Sequence, residues 1–401
     1  MNSPASNVRR KLPVARRRRP RAGTILVALL VLICLLLARP AFTGLRAAGL
    51  LLRMQDLQHA GVIGAFHTYH VEESSTDVQT PGGVIHARLY SPRGIAHPPG
   101  MLIVHGVHHL GMEDPRLVGL ARAISAGGIR VLTPQLPLLA DYHVDSGCIP
   151  EIGYAARSLA TTLGEKVGVL GISFGGGLSL LAAADPQFEP YIRFVVSIGA
   201  HDDLARVLQF FITNQITRPD GSTLQMQAHE YGPFVLIYSH LEDFFPATDI
   251  KTARDALQQL LWENVNESKK IAEGLSLASR QKMELLYKHD VDALAGEMAE
   301  SIARHAGELA PVSPHGRLQS LRVPVLLLHG AADNVIPPSE LLWLEQDVPP
   351  GFLKAALASR AISHATMEEK PSLADDFHLV RFMAQMLELS DDRERLSGSP
   401  R

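Results

Sequence analysis

Residues 167–184 read VGVLGISFGGGLSLLAAA, and the reading of this stretch decides the fold. Val167–Leu170 is a continuous apolar run of strand length. Gly171-Ile172-Ser173-Phe174-Gly175 is a G-x-S-x-G turn, and Phe174–Ala184 reads as a helix. A strand that turns straight into a helix holds the corner residue, Ser173, in a strained conformation with its hydroxyl pointing out. Side chains larger than those of Gly171 and Gly175, two positions either side of the serine, would clash. Gly176 and Gly177 let the helix lie close to the sheet. The helix N-terminus also offers the Phe174 N–H to a negative charge developing beside the serine. The bland alternative is a glycine-rich turn with an idle serine.

Working outward, short apolar runs alternate with helical periodicity. Strands are expected at Phe66–Val71, Val84–Tyr90, Met101–Val104, Ile129–Thr133, Phe194–Ile198, Val323–His329 and Phe352–Ala358, with Pro81-Gly82-Gly83 as a turn signal. Leu117, Leu120, Ala121 and Ile124 repeat at helical spacing, as do Ile152, Ala155, Ala156, Leu159 and Leu163, and a last helix is expected over Leu373–Leu389. Such alternation predicts an α/β fold, a mostly parallel sheet flanked by helices, with ligands at the carboxyl ends of the strands. Residues 201–318 interrupt the pattern with helical segments, Ile250, Ala253, Leu257, Leu260 and Leu261 being the clearest. They also hold an aromatic cluster of Phe210, Phe211, Tyr231, Phe234, Tyr238, Phe244 and Phe245, and the stretch reads as a largely helical cap.

Around Ser173 the sequence resembles the α/β-hydrolase family, and the resemblance extends over about residues 84–388 apart from the cap. It implies that the loop after His105-Gly106, at the end of Met101–Val104, carries the second oxyanion donor, the backbone N–H of Val107 or, as the alternative, of His108, opposite that of Phe174. It implies a triad in the chain order Ser173, Asp333, His364. Asp333 stands in His329-Gly330-Ala331-Ala332-Asp333, and His364 lies between the last strand and the last helix. An imidazole at His364 would take the serine proton as base and return it to the leaving group as acid. Asp333 would hold the imidazole's tautomer and stabilise its charged form. The chain departs from the lipase and esterase branch in lacking an HGGG run. Asp202 and Asp203 compete for the acid's role, and His378 for the base's. His105, His108 and His109 lack the carboxylates and helical spacing of a hydrolytic zinc site. His105 is expected to brace the oxyanion loop and the other two to border the pocket. No metal and no cofactor are implied.

The chain has 401 residues, 46% of them hydrophobic and 20% charged, as in a globular protein with a sizeable core. Residues 1–21 hold eight Arg and Lys and no acid, which leaves 30 basic against 41 acidic groups beyond them. So acidic a body argues against a nucleic-acid partner. Ala22–Ala38 is a 17-residue run without a charge, at the short end of what spans a bilayer. With the basic run before it, it predicts a single-pass anchor with the N-terminus in the cytoplasm and the body outside. A cleaved signal peptide, and so a secreted body, is the rival expectation. Cys34 lies in that run, so Cys148 has no disulfide partner in the body. Asn266-Glu267-Ser268 is a formal glycosylation sequon.

The expected organisation is a basic tail (1–21), an anchor (22–38), a linker (39–64), a core in two parts (65–200 and 319–390) around the cap (201–318), and a flexible tail (391–401). The expected function is a membrane-anchored serine hydrolase cleaving a carboxylic ester or related acyl bond of a small molecule through an acyl-enzyme. An acyltransferase or peptidase on the same triad, or a non-catalytic binding protein of the same fold, are the alternatives.

Overall fold

The computed structural model describes residues 22–55, 61–362, 372–394 and 396, with the side chains of residues 22–37 and of Gln55 excepted. Eight strands form one sheet: β1 (Val71–Thr80), β2 (Gly83–Pro92), β3 (Gly100–Val104), β4 (Arg130–Pro134), β5 (Val167–Ile172), β6 (Ile192–Ile198), β7 (Val325–Gly330) and β8 (Leu353–Ser359). Their order is β1-β2-β4-β3-β5-β6-β7-β8. β2 runs antiparallel to both of its neighbours, and every pairing from β4 to β8 is parallel. Strands β3, β5, β6 and β7 are buried almost throughout. That is why they read as unbroken apolar runs: helices cover both faces of a parallel sheet.

Side chains alternate between the two faces. Met101, Ile103, Leu170, Val196, Leu326 and Leu328 meet helices Pro115–Ala126 and Leu373–Asp391 on one. Leu102, Val104, Val169, Val195 and Leu327 meet helices Cys148–Leu163 and Phe174–Ala184 on the other, in a cluster that continues into the cap. The boundaries of helix Pro115–Ala126 follow from local chemistry. Asp114 caps its first turn by accepting the Arg116 N–H at 2.8 Å, proline stands at its start, and Gly127-Gly128 ends it, Gly128 at φ +97°.

Two expectations are corrected here. The first strand is Val71–Thr80 and not Phe66–Val71. It is a mostly exposed edge strand of polar residues held by its full ladder with β2, so hydrophobic patterning carried no trace of it. Where a linker was expected over 39–64, helix Ala22–Gln55 runs on, with Ala47 and Leu50 buried in the core and Arg53 donating to Gly64 O at 2.8 Å. Arg39, Arg46 and Arg53, which interrupt the apolar run, concealed this helix. Among the described residues no helix is long and apolar enough to cross a membrane. The side chains of most of Ala22–Ala38 lie outside that description.

The cap is helical, with segments Leu204–Thr213, Tyr231–Ser239, Ile250–Leu261, Val265–Ala272, Leu277–Tyr287 and Ala295–Arg304 and one short ribbon, Gln215–Thr217 with Thr223–Gln225. It belongs to the same compact unit as the sheet, residues 44–401.

Candidate active site

Parallel strands deliver the loops after their carboxyl ends to one edge of the sheet, and the order changes direction around β3, where a crevice opens. Ser173 follows β5, His105-Gly106 follows β3, and Asp333 follows β7.

Ser173 sits at the corner between β5 and helix Phe174–Ala184 with φ 55° and ψ −133°, a conformation that costs a non-glycine residue energy. The corner is over-determined. Ser173 N–H donates to Ile198 O at 2.7 Å, and Gly176 N–H donates to Ser173 O at 2.8 Å. A Cβ on Gly171 would lie 2.5 Å from Gly175 O, and one on Gly175 would lie 2.3 Å from His105 O. Gly106 packs as tightly, a Cβ there falling 2.9 Å from Ser173 Cβ. The β3 loop and the elbow are therefore in backbone contact. Among the described residues, neither the Val107 N–H nor the Phe174 N–H has an acceptor.

His105 is buried and spans that loop: Nδ1 donates to Gly106 O at 2.8 Å and Nε2 accepts the Leu136 N–H at 3.1 Å. Both nitrogens are used, which sets the tautomer with the proton on Nδ1. Burial pulls its pKa from 6.5 down to about 4. Between those values an unfolded chain binds a proton that the folded chain does not. The contribution is therefore whole above pH 6.5 and is lost as the pH falls towards 4, by about 3 kcal/mol. Thermal unfolding followed from pH 7 to 4 should show this slope in the wild type. His105→Gln should remove close to one proton's worth of it; an unchanged slope would show that His105 is not its source.

His108 and His109 stack on one another at 4.5 Å; His109 Nδ1 is 3.3 Å from Tyr142 Oη, and His108 is 3.5 Å from Asp114. Neither lines the main cavity.

Asp333 is buried, and its Oδ1 accepts the N–H groups of Val335 and Ile336, both at 3.0 Å, which fixes the plane of the carboxylate. His329, also buried, donates from Nε2 to Ile336 O at 2.9 Å and braces the same turn. His364 lies outside the described residues. Ile362, at the edge of that segment, packs against β7: its carbonyl oxygen is 2.6 Å from where a Cβ on Gly330 would stand.

The competing acids, Asp202 and Asp203, are engaged elsewhere. Arg206 bonds Asp202 at 2.8 Å and Glu340 at 2.6 Å, and His315 reaches Asp202 at 3.0 Å. Asp202 is fully buried in this ionic cluster, and burial, then Glu340, raises its pKa to about 7. Asp203 caps helix Leu204–Thr213. His378 is exposed on the last helix. Cys148 is a buried thiol that burial pushes up to about 12. Ser268 of the sequon is buried inside a helix, bonded to Ala256 O at 2.7 Å.

Beside the elbow is a cavity of about 210 Å³, walled by the cap, by Tyr142–Asp145 and by Phe174. Ser173 itself is not in the wall; its neighbour Phe174 is. Of the seven cap aromatics only Phe211 and Tyr231 line it, while Phe210, Phe234, Tyr238, Phe244 and Phe245 are buried cap core. The wall includes Asp145, Glu242 and Glu308 and no lysine or arginine. The sequence carried no sign of the contributions from Tyr142–Asp145 or from His240, Glu242 and His305, because their partners lie many tens of residues away.

No family model matches the chain, and no curated protein matches it either. Among solved structures it is similar to an acylaminoacyl peptidase in complex with Z-Gly-Gly-Phe-chloromethyl ketone, with 11% identity and a TM-score of 0.49 over 85% of this chain and 44% of that one. It is also similar to a puromycin-hydrolyzing peptidase of Mycobacterium tuberculosis, at 15% and 0.47 over 83% of this chain and 41% of that one. A third is the esterase domain of a Rhodothermus marinus protein, at 14% and 0.40 over 79% and 96%. The chain thus spans less than half the length of the first two. What assigns the architecture is internal to the chain: the strand order with an antiparallel β2, the strained Ser173 between β5 and its helix, and the turn of Asp333 after β7. This chain has the α/β-hydrolase fold.

Proposed function

We propose that the chain is a serine hydrolase that cleaves esters of uncharged, largely apolar acyl groups through an acyl-enzyme. In this reading His364 takes the Ser173 proton as Oγ attacks the ester carbonyl. The carbonyl oxygen's new negative charge is held by the Val107 and Phe174 N–H groups. His364 then protonates the departing alcohol as the C–O bond breaks, and a water repeats the sequence to free the acid. Asp333 orients His364 and stabilises its charged form. The observation that carries the reading is the strained Ser173 at a helix N-terminus, in contact with a second loop, both loops presenting backbone N–H groups that have no acceptor among the described residues. Strain of this kind persists only where the surroundings enforce it, and it concentrates at functional sites.

The preference for uncharged acyl groups rests on the cavity. Its wall is mostly aromatic and aliphatic, its polar members include His143, Ser239, His240 and His305, and its fixed charges are carboxylates, which would repel dicarboxylates and phosphates. Tethering by residues 22–38, with the body outside the cytoplasm, belongs to the same proposal and rests on the charge asymmetry about that run.

Labelling with a fluorophosphonate tests the chemistry. Wild type should react and Ser173→Ala should not; an unlabelled wild type would leave a binding protein. A membrane-impermeant form of the probe should label intact cells, and labelling confined to lysates would overturn the topology. A panel of p-nitrophenyl esters of rising chain length then tests the pocket. Phe211→Ala should shift the preferred length, whereas Phe210→Ala should lower stability without shifting it. A preference for charged acyl groups would remove the cavity from the argument.

A further inference from the structure

Two peptides flank Val107, and each supplies a candidate for the second oxyanion donor: the Val107 N–H from the first, the His108 N–H from the second. Neither N–H has an acceptor among the described residues. Both peptides are held instead by their carbonyl oxygens. Gly106 O accepts from His105 Nδ1 at 2.8 Å, and Val107 O accepts from Tyr231 Oη at 3.4 Å. His105 belongs to the core, whereas Tyr231 opens the cap helix Tyr231–Ser239. At 3.4 Å the second bond is long for a hydroxyl donor, and bonds of that length in active sites tighten when substrate fills them. No other hydrogen bond engages that hydroxyl among the described residues.

The same few cap residues also reach the turn of Asp333. His229 N–H donates to Asn334 O at 2.8 Å, and Tyr231 N–H donates to His229 Nδ1 at 3.2 Å. Just upstream, Ala228 N–H donates to Asn214 Oδ1 at 2.8 Å, and Asn214 ends helix Leu204–Thr213 in the left-handed region at φ 54°. Residues 228–231 are therefore a strap, fixed at Asn214, that touches the Asp333 turn and then the Val107 loop. The Tyr231 ring stands between the rings of Tyr142, at 5.8 Å, and His229, at 6.3 Å, which limits its swing. Burial, then Tyr142, raises its pKa well above 10, so the hydroxyl keeps its proton and remains a donor.

We propose that Tyr231 is a positioning residue for the oxyanion hole, its hydroxyl orienting and polarising the Val107–His108 peptide from the cap. The inference rests on the serine-hydrolase reading and gives the cap a part in the chemistry beyond that of pocket wall. A peptide whose carbonyl accepts a hydrogen bond keeps its plane and donates its own N–H more strongly. His105 does this for the Gly106–Val107 peptide, and Tyr231 does it for the next. Donors to an oxyanion act by being in place before the charge develops, so that no reorganisation is needed during the reaction. Without the hydroxyl, the Val107–His108 plane loses its hold from the cap, and the loop can tilt its N–H groups away from the oxyanion.

The test compares p-nitrophenyl acetate with its thionoester, whose sulfur accepts hydrogen bonds poorly and so draws little on the oxyanion hole. Tyr231→Phe should lower kcat for the oxygen ester about tenfold, leave KM within about twofold, and slow fluorophosphonate labelling by a similar factor. Thionoester turnover should change little, so the ratio of the two rates should fall about tenfold. A merely structural loss would slow both substrates alike and leave the ratio where it was. Tyr238→Phe removes another cap hydroxyl, one bonded to Asp141 at 2.8 Å, and should keep the wild-type ratio. The unfolding midpoint of Tyr231→Phe should stay within a few degrees of wild type. A larger fall would not spoil the test, because the ratio reports on the folded fraction alone. An unchanged ratio would overturn the role of Tyr231, whatever happens to kcat. A wild type that hydrolyses neither ester and resists the probe would instead remove the hydrolase reading, and this role with it.

Discussion

Replacing Ser173 by alanine is expected to lower kcat for ester hydrolysis by about 10⁴- to 10⁶-fold, and His364→Ala by a similar factor. The double variant should be little worse than either, because nucleophile and base act as one unit. A factor of 10⁵ is roughly 7 kcal/mol of lost transition-state stabilisation. Binding and the two N–H donors survive the change, so some rate above the uncatalysed reaction should remain. Asp333→Asn should cost about 10⁴-fold by favouring the wrong imidazole tautomer, with the turn itself preserved, since an amide oxygen can still accept from Val335 and Ile336. Asp202→Asn is the control. Asp202 lies in the Arg206–Glu340 cluster, so its replacement should lower thermal stability and leave kcat within a fewfold of wild type. Stopped esterase assays on the four purified variants, each checked for a cooperative unfolding transition, decide the assignment. A large kcat loss in Asp202→Asn together with a small one in Asp333→Asn would transfer the acid's role.

The second large effect concerns backbone approach. A Cβ on Gly175 would stand 2.3 Å from His105 O and 3.1 Å from Val104 Cγ1. The main chain of β3's loop cannot retreat, because His105 is bonded at both nitrogens. Gly175→Ala is therefore expected to cost about 3 kcal/mol, at the upper end for overpacking, and to prise the Val107 loop from the elbow. Activity should fall at least a hundredfold through loss of an oxyanion donor, more than the stability change alone accounts for. Gly119, within helix Pro115–Ala126, has nothing within 4 Å of its Cβ position. Gly119→Ala should accordingly stabilise by about 1 kcal/mol through helix propensity. Chemical denaturation of the two variants gives the comparison. Equal and small effects would mean that the elbow has more room than its geometry allows.

What the sequence determined by itself was local and periodic. The runs at β3, β5, β6 and β7 were legible because strands covered on both faces must be apolar throughout, and the helices because one buried stripe imposes a 3.6-residue repeat. Ser173's corner was legible for a related reason: a sharp strand-to-helix turn needs small residues at fixed offsets, so Gly171 and Gly175 announce it within five residues. β1 was not, since Val71–Thr80 lies exposed at the sheet edge and owes its place to backbone hydrogen bonds with β2, which are indifferent to side-chain type. Only the tertiary structure separated Phe211, in the cavity wall, from its neighbour Phe210, in the cap core. It alone bound Asp202 to Glu340 across 138 positions and stacked His240 on His305. Such pairings depend on which faces meet when the helices pack, and composition near either residue does not encode that meeting. Long-range charge and ring partners therefore became readable only once the chain had closed on itself.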